Sequence, residues 1–376
     1  MNKRLIVHRF LLLVGSSLFA LFLAEGVCRI FFPAQPSIRF QQDVDELRGM
    51  KLDEAPGMIK NDHELFWRLV PNKRLPDDSW PFFGVISNEQ SLREDHEIPL
   101  AKPVGETRIL FLGDSCTFGY GVPHHAAFVQ VAEAALQDIS PGPVECINAG
   151  VPGYTLFQGY RYLGTEGLRY QPDLVVLNFG WNDNGIWDPL GDIEHYARMK
   201  KMQPPGPLRK SGLCRLMWSI VNRPAPPDPG QKKRPRLLPG EFRETLGKIH
   251  SLLEEQRIPL LVLVWPMRLN TQPDIPPEGR TALQIEMMSF GQAHPFLPSP
   301  PVSGMLDLVP LGQALVREHG PEAIYFDHGH VKPMAHQAIG EAIAEHLSPW
   351  ISETPKKGTT NEHELKRVHA CHCRHF

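Results

Sequence analysis

Residues 109–121 read ILFLGDSCTFGYG. Four apolar residues run into Gly113-Asp114-Ser115, and glycines return at 119 and 121. A short unbroken apolar run that ends at turn residues fits a strand buried on both faces, the kind found in parallel sheets. It stops at a carboxylate and a hydroxyl, side chains that cap a following helix. Two readings are open at this point. The stretch is a plain strand-to-helix turn, or a turn that presents Ser115 as a nucleophile.

The same alternation repeats on either side. Strands are predicted at 107–112, 144–148, 173–179, 258–265 and 304–309, and helices at 125–139, 156–170, 240–257 and 334–351. Buried strands alternating with helices give a parallel sheet covered on both faces. In such sheets, sites form beyond the carboxyl ends of the strands. Four segments fall there: GDSCTFG (113–119), AGVPGYT (149–155), GWNDN (180–184) and FDHGH (326–330). One small, polar loop is ordinary turn chemistry. Four converging on one rim point to a site.

A serine hydroxyl needs a base to take its proton, and the base needs a third group to fix its tautomer. Asp327 and His330, three residues apart before the last helix, supply that pair. His328 lies between them as the other candidate base. An oxyanion requires donors aimed at it. The candidates are the Ser115 backbone N–H, the Gly153 backbone N–H and the Asn182 side-chain amide. Asp183 reads as a residue that holds its loop. Trp181 and Tyr154 line a groove or simply pack.

These blocks resemble the SGNH hydrolases, also called the GDSL esterase/lipase family. The match is carried by Gly113-Asp114-Ser115 with Thr117 and Gly119, by Gly153 in NAGVPGY, by Gly180-Trp181-Asn182-Asp183, and by Asp327-x-x-His330. It spans about residues 105–350, and the segments LFWRLVPN (65–72) and ISNEQSLRED (86–95) resemble the preface of membrane-anchored bacterial members. Cys116 and Ala335 depart from the usual pattern without removing a catalytic group. The resemblance implies a flavodoxin-like three-layer α/β/α sandwich with a five-stranded parallel sheet. It also implies ester hydrolysis or removal of O-acetyl groups, with no cofactor and no metal. Ester or acylated-glycan substrates follow. An O-acyltransferase acting on a cell-envelope polysaccharide would use the same residues, and a catalytically inert binding module on the same fold is the third reading.

The chain has 376 residues and a net charge of −3, which argues against a nucleic-acid binder with its basic stripe. Residues 1–33 place Lys3, Arg4 and Arg9 before the uncharged run Phe10–Ala24. This reads as a membrane anchor with the main domain outside the cell membrane, periplasmic or extracellular, and a cleaved signal with a secreted product is the alternative. Residues 34–104 read as an irregular lead-in packing on the main domain of 105–352. Within that domain 185–238, rich in proline, reads as an insertion whose Lys232, Lys233, Arg234 and Arg236 form a solvated basic loop. The tail 353–376, with Cys371 and Cys373 among histidines, reads as a flexible polar end.

Overall fold

The computed structural model describes residues 3–31, 58–82, 84–186, 189–228, 230–271 and 304–353. The polar tail, with its cysteines and histidines, lies outside them, as do residues 272–303.

Five strands form the central sheet: β5 (Thr107–Gly113), β6 (Val144–Gly150), β7 (Leu174–Asn178), β8 (Leu260–Val264) and β9 (Gly304–Asp307). They lie in the order β6-β5-β7-β8-β9 and all pair in parallel. This is the parallel sheet that the apolar runs predict, in the flavodoxin-like form that the resemblance implies. The order reverses after β6, so the switch point falls at the carboxyl end of β5, where ligands of such sheets bind. Three strands finish level there: Gly113 pairs with Gly150 on one side and with Asn178 on the other.

Every residue of β5 is buried, because both faces are covered. Leu110 and Leu112 face one core cluster, and Ile109 and Phe111 the other. Helices α3 (Phe128–Ile139) and α9 (Pro333–Glu353) pack together over the second face. Helices α4 (Leu156–Thr165) and α7 (Pro239–Gln256) cover the first. The one-turn helix α2 (Ser115–Phe118) follows β5 directly, and α8 (Val309–His319) follows β9.

Two regions differ from the expectation. The lead-in contains two antiparallel hairpins, β1 (Ile59–Asp62) with β2 (Phe66–Leu69), and β3 (Lys73–Leu75) with β4 (Gly84–Ser87). Its Met58, Leu65, Phe66, Trp67, Leu69 and Phe82 are buried in the same cluster as Leu110 and Leu112. The insertion carries two helices, α5 (Asp192–Lys201) and α6 (Gly212–Val221). Helix α5 buries only Asp192 and Met199, so it lacks the apolar stripe by which a helix is read from sequence. The N-terminal helix α1 (Lys3–Phe31) contains a 25-residue apolar stretch, Ile6–Ile30, long enough to cross a bilayer.

Candidate active site

The three residues expected to form the triad meet at the carboxyl end of β5. His330 Nε2 lies 2.7 Å from Ser115 Oγ, and His330 Nδ1 lies 2.6 Å from Asp327 Oδ2. The other Asp327 oxygen accepts the backbone N–H groups of Gly329 and His330, both at 2.9 Å. These bonds clamp the carboxylate against the imidazole. Burial pushes the Asp327 carboxyl up, but the hydrogen bond and charge of His330 and the two N–H donors outweigh it and hold it at about 2. His328 is exposed, and its carbonyl accepts the Arg268 N–H at 2.9 Å. His330, and not His328, is the imidazole that lies against Ser115.

Ser115 opens a helix of four residues. Asp114 caps it by accepting the Cys116 N–H at 2.9 Å. The glycine before the cap is required by space, since a Cβ on Gly113 would stand 2.0 Å from Thr117 Oγ1 and 2.7 Å from the Asn178 carbonyl. Thr117 joins the strand ends: its hydroxyl accepts from Asn178 Nδ2 at 3.2 Å and its carbonyl from Asn148 Nδ2 at 3.0 Å.

Gly153 sits in the loop after β6 with φ of +81°, a conformation that disfavours a side chain. The peptide groups on both sides of it are held. Trp67 Nε1 donates to the Pro152 carbonyl at 3.0 Å, which fixes the peptide that carries the Gly153 N–H. Arg236 Nη1 donates to the Gly153 carbonyl at 2.5 Å. Arg236 also pairs with Asp192 at 2.7 Å, with both side chains buried. The solvated basic loop expected at 232–236 is thereby corrected for Arg236. An arginine with buried carboxylate and carbonyl partners leaves water because its donors are satisfied inside. Arg234 is partly withdrawn as well, onto Glu241.

Asn182 stands on the rim with its amide engaged. Nδ2 donates to Asp114 Oδ2 at 3.0 Å and to the Tyr154 carbonyl at 3.2 Å. Burial pushes the Asp114 carboxyl up to about 6 against the Cys116 N–H and the His330 ring, which lower it. Asp183 is buried and ties two loops, accepting from Leu156 N–H at 2.9 Å and Gly180 N–H at 3.1 Å. Burial raises it to about 7. Tyr154 packs, its hydroxyl donating to the Trp67 carbonyl at 2.6 Å, whereas Trp181 is exposed.

Sequence reasoning passed over the aromatic flank of the histidine. Tyr120 stacks on the His330 ring with centroids 4.0 Å apart. Trp80 meets Tyr120 and Phe326 edge-on, at 6.1 and 4.8 Å. Tyr120 belongs to the opening stretch itself, but nothing in spacing marks a ring that acts by stacking. Cys116 and Cys146 are free and buried, and burial raises both thiols well above their ordinary range. Among the described residues no group of three or more His, Cys, Asp or Glu is placed to hold a metal.

Fold and side-chain arrangement together define an α/β protein with a Ser-His-Asp constellation at its sheet's switch point. The profile of the GDSL-like Lipase/Acylhydrolase family matches residues 111–288, a span that takes in Ser115, Gly153 and Asn182 and ends before Asp327 and His330. Over that span the chain carries a domain of the GDSL-like lipase/acylhydrolase type, a family of serine ester hydrolases. No curated protein matches it. Among solved structures it is similar to the acetyl xylan esterase AlAXEase, at 15% identity over 64% of this chain and 99% of that one, with a TM-score of 0.42. It is also similar to a lipase/acylhydrolase from Enterococcus faecalis, at 20% identity over 67% and 100%, with a TM-score of 0.41. A third is the acetylxylan esterase Axe2 from Geobacillus stearothermophilus, at 15% identity over 69% and 100%, with a TM-score of 0.41. Likeness at that level bears on neither substrate nor mechanism.

Proposed function

We propose that the chain is a membrane-anchored, extracytoplasmic serine esterase that removes acyl groups, O-acetyl groups among them, through an acyl-enzyme on Ser115. The observation that carries this reading is the unbroken relay Ser115 Oγ–His330–Asp327, at 2.7 and 2.6 Å. Ser115 Oγ attacks the ester carbonyl carbon as its proton passes to His330 Nε2. Asp327 holds the Nδ1–H and stabilises the imidazolium. The imidazolium then gives its proton to the departing alkoxide. Water attacks the acyl-serine with His330 again as base, and collapse frees the acid and Ser115.

The oxyanion formed in each half faces the Ser115 and Gly153 backbone N–H groups. Asn182 serves as third donor by turning one N–H from the Tyr154 carbonyl toward the substrate, while Asp114 keeps hold of the other. The basic end of α1 stays in the cytoplasm and the catalytic domain lies on the far side.

The full chain in detergent, mixed with p-nitrophenyl acetate, should give a burst of nitrophenolate, and a fluorophosphonate should label the wild type but not Ser115→Ala. Equal labelling of both would remove the nucleophile assignment. Acylated sugar appearing when glycan is added beside an acyl donor would replace hydrolysis by transfer. An intact chain inert toward short and long acyl esters would favour a binding module.

A further inference from the structure

The outer end of the apolar helix α1 is built onto the insertion. The Glu25 carboxylate accepts from Ser211 Oγ at 2.7 Å, from the Gly212 N–H at 2.8 Å and from the Leu213 N–H at 2.9 Å. The two N–H groups belong to the first turn of α6, where a helix has no internal acceptor for them. Arg29 Nη2 donates to the Lys210 carbonyl at 3.2 Å. Gly212 lies directly on α1, for a Cβ there would stand 2.9 Å from Arg29 N and 3.0 Å from the Cys28 carbonyl carbon. The start of α6 is thus fixed at residues 25–29, where the uncharged run Phe10–Ala24 gives way to charge. In a bilayer that crosses α1, this level is the headgroup region.

From there α6 presents Leu213, Met217, Ile220 and Val221 along one face, at the three- and four-residue spacing of an amphipathic helix. Met217, Ile220 and Val221 are 55%, 62% and 78% exposed. Arg215 and Ser219 lie on the opposite side. The helix is firmly seated: Trp218 Nε1 donates to the Lys201 carbonyl of α5 at 3.0 Å. Helix α5 is tied in turn to Glu64 of the lead-in, through Lys200 and through the Tyr196 hydroxyl at 2.7 Å. Exposed Arg209 and Lys210 precede α6 beside the same end of α1. Apolar side chains with basic neighbours at headgroup level suit the boundary of an anionic bilayer.

We infer that α6 is a second membrane contact, lying in the outer interface beside α1. Met217, Ile220 and Val221 enter the headgroup–acyl boundary, and Arg209 and Lys210 meet lipid phosphates. The path α1–α6–α5–Glu64 then sets the tilt of the catalytic domain over the membrane. The inference rests on α1 as a retained anchor and is independent of the ester chemistry.

The test uses the full chain in phosphatidylcholine/phosphatidylglycerol vesicles containing doxyl-labelled lipid. A bimane label is placed at Ile220→Cys, at Phe19→Cys within α1 and at Gln337→Cys on the exposed side of α9, with the signal of the native cysteines subtracted. Quenching at 220 should approach that at 19 and exceed that at 337 by roughly threefold or more. Adding Met217→Glu and Val221→Glu should bring 220 down to the level of 337 while nitrophenyl acetate hydrolysis stays unchanged. Equal quenching at 220 and 337 in the otherwise native chain overturns the inference. So does an Ile220→Cys disulfide between two copies, which would show a second chain on that face, and so does a label at 19 that lipid does not quench.

Discussion

The rim of the sheet and the pieces that brace it are made differently. On the rim, Ser115, His330 and Asp327 touch one another through atoms that only a few residue types possess. In the bracing regions, Trp67 and Arg236 act on backbone carbonyls of the Gly153 loop. A carbonyl accepts from many donors, so nothing in the chain marks which donor reaches it. The first region is confined by chemistry and the second by shape alone. The comparison predicts that rim variants lose rate far more than stability, and that brace variants lose both heavily.

The largest effect is expected at the nucleophile. Ser115→Ala should lower kcat by about 10⁴–10⁶, with the residual rate coming from binding and the oxyanion donors. Ser115 is buried at a helix start, and among the described residues its hydroxyl hydrogen-bonds only His330, so the thermal midpoint should barely move. A collapse of stability together with rate would erase the distinction between rim and brace.

Arg236→Met should behave in the opposite way. It leaves Asp192 buried without its partner, and breaking such a pair costs about 3–5 kcal/mol. Urea unfolding measures it. Adding Asp192→Asn removes the stranded charge and keeps an acceptor for the Thr155 hydroxyl, which reaches Asp192 at 2.7 Å. The double variant should regain most of the stability but not the rate, because the Gly153 carbonyl still lacks its donor. Full recovery of rate would make Arg236 a stability element only.

Trp67→Phe keeps an aromatic ring against Tyr154, removes the Nε1–H that holds Pro152, and vacates part of the buried space that the indole fills beside Gly153. The stranded carbonyl should cost about 1–3 kcal/mol. Losing a whole oxyanion donor costs about 10²–10³ in rate, so loosening one should cost about tenfold to a hundredfold. The loss should fall on kcat with KM nearly unchanged, since the donor acts on charge that develops in the transition state. A rise in KM alone would place Trp67 on the substrate-binding side.

The same contrast explains what could be read in advance. The five strands and the four rim segments were legible because unbroken apolar runs such as ILFL and LVVL fit a covered sheet, and because a triad restricts residue types. Hairpins β1–β2 and β3–β4 were not, because their strands are three or four residues long and alternate weakly. Arg236 was misread because it stands beside Lys232, Lys233 and Arg234, and a charge run gives no sign of which member meets a buried acid. Tyr120 lay in plain view, yet its stacking on His330 depends on a loop closing over 210 residues of sequence separation.

The smallest effect concerns acid. Asp327 is held at about 2, below its ordinary value of 3.8, so its carboxylate is favoured in the folded chain. A carboxyl with a depressed folded pKa adds stability that is fully present above the unfolded pKa and lost as pH falls through the folded one. The window is therefore pH 4 down to 2. Asp327 is 42% exposed on its side chain, so solvent screens the contribution and only its direction is asserted. Asp327→Asn should lower the urea midpoint at pH 6, and the gap to wild type should narrow steadily below pH 4. Activity should not follow that curve, because at pH 6 the asparagine already leaves His330 without a carboxylate. A stability gap that stays constant to pH 2 would mean that the carboxyl is not held by His330 in the folded chain. The rim would then be braced by something other than its own chemistry.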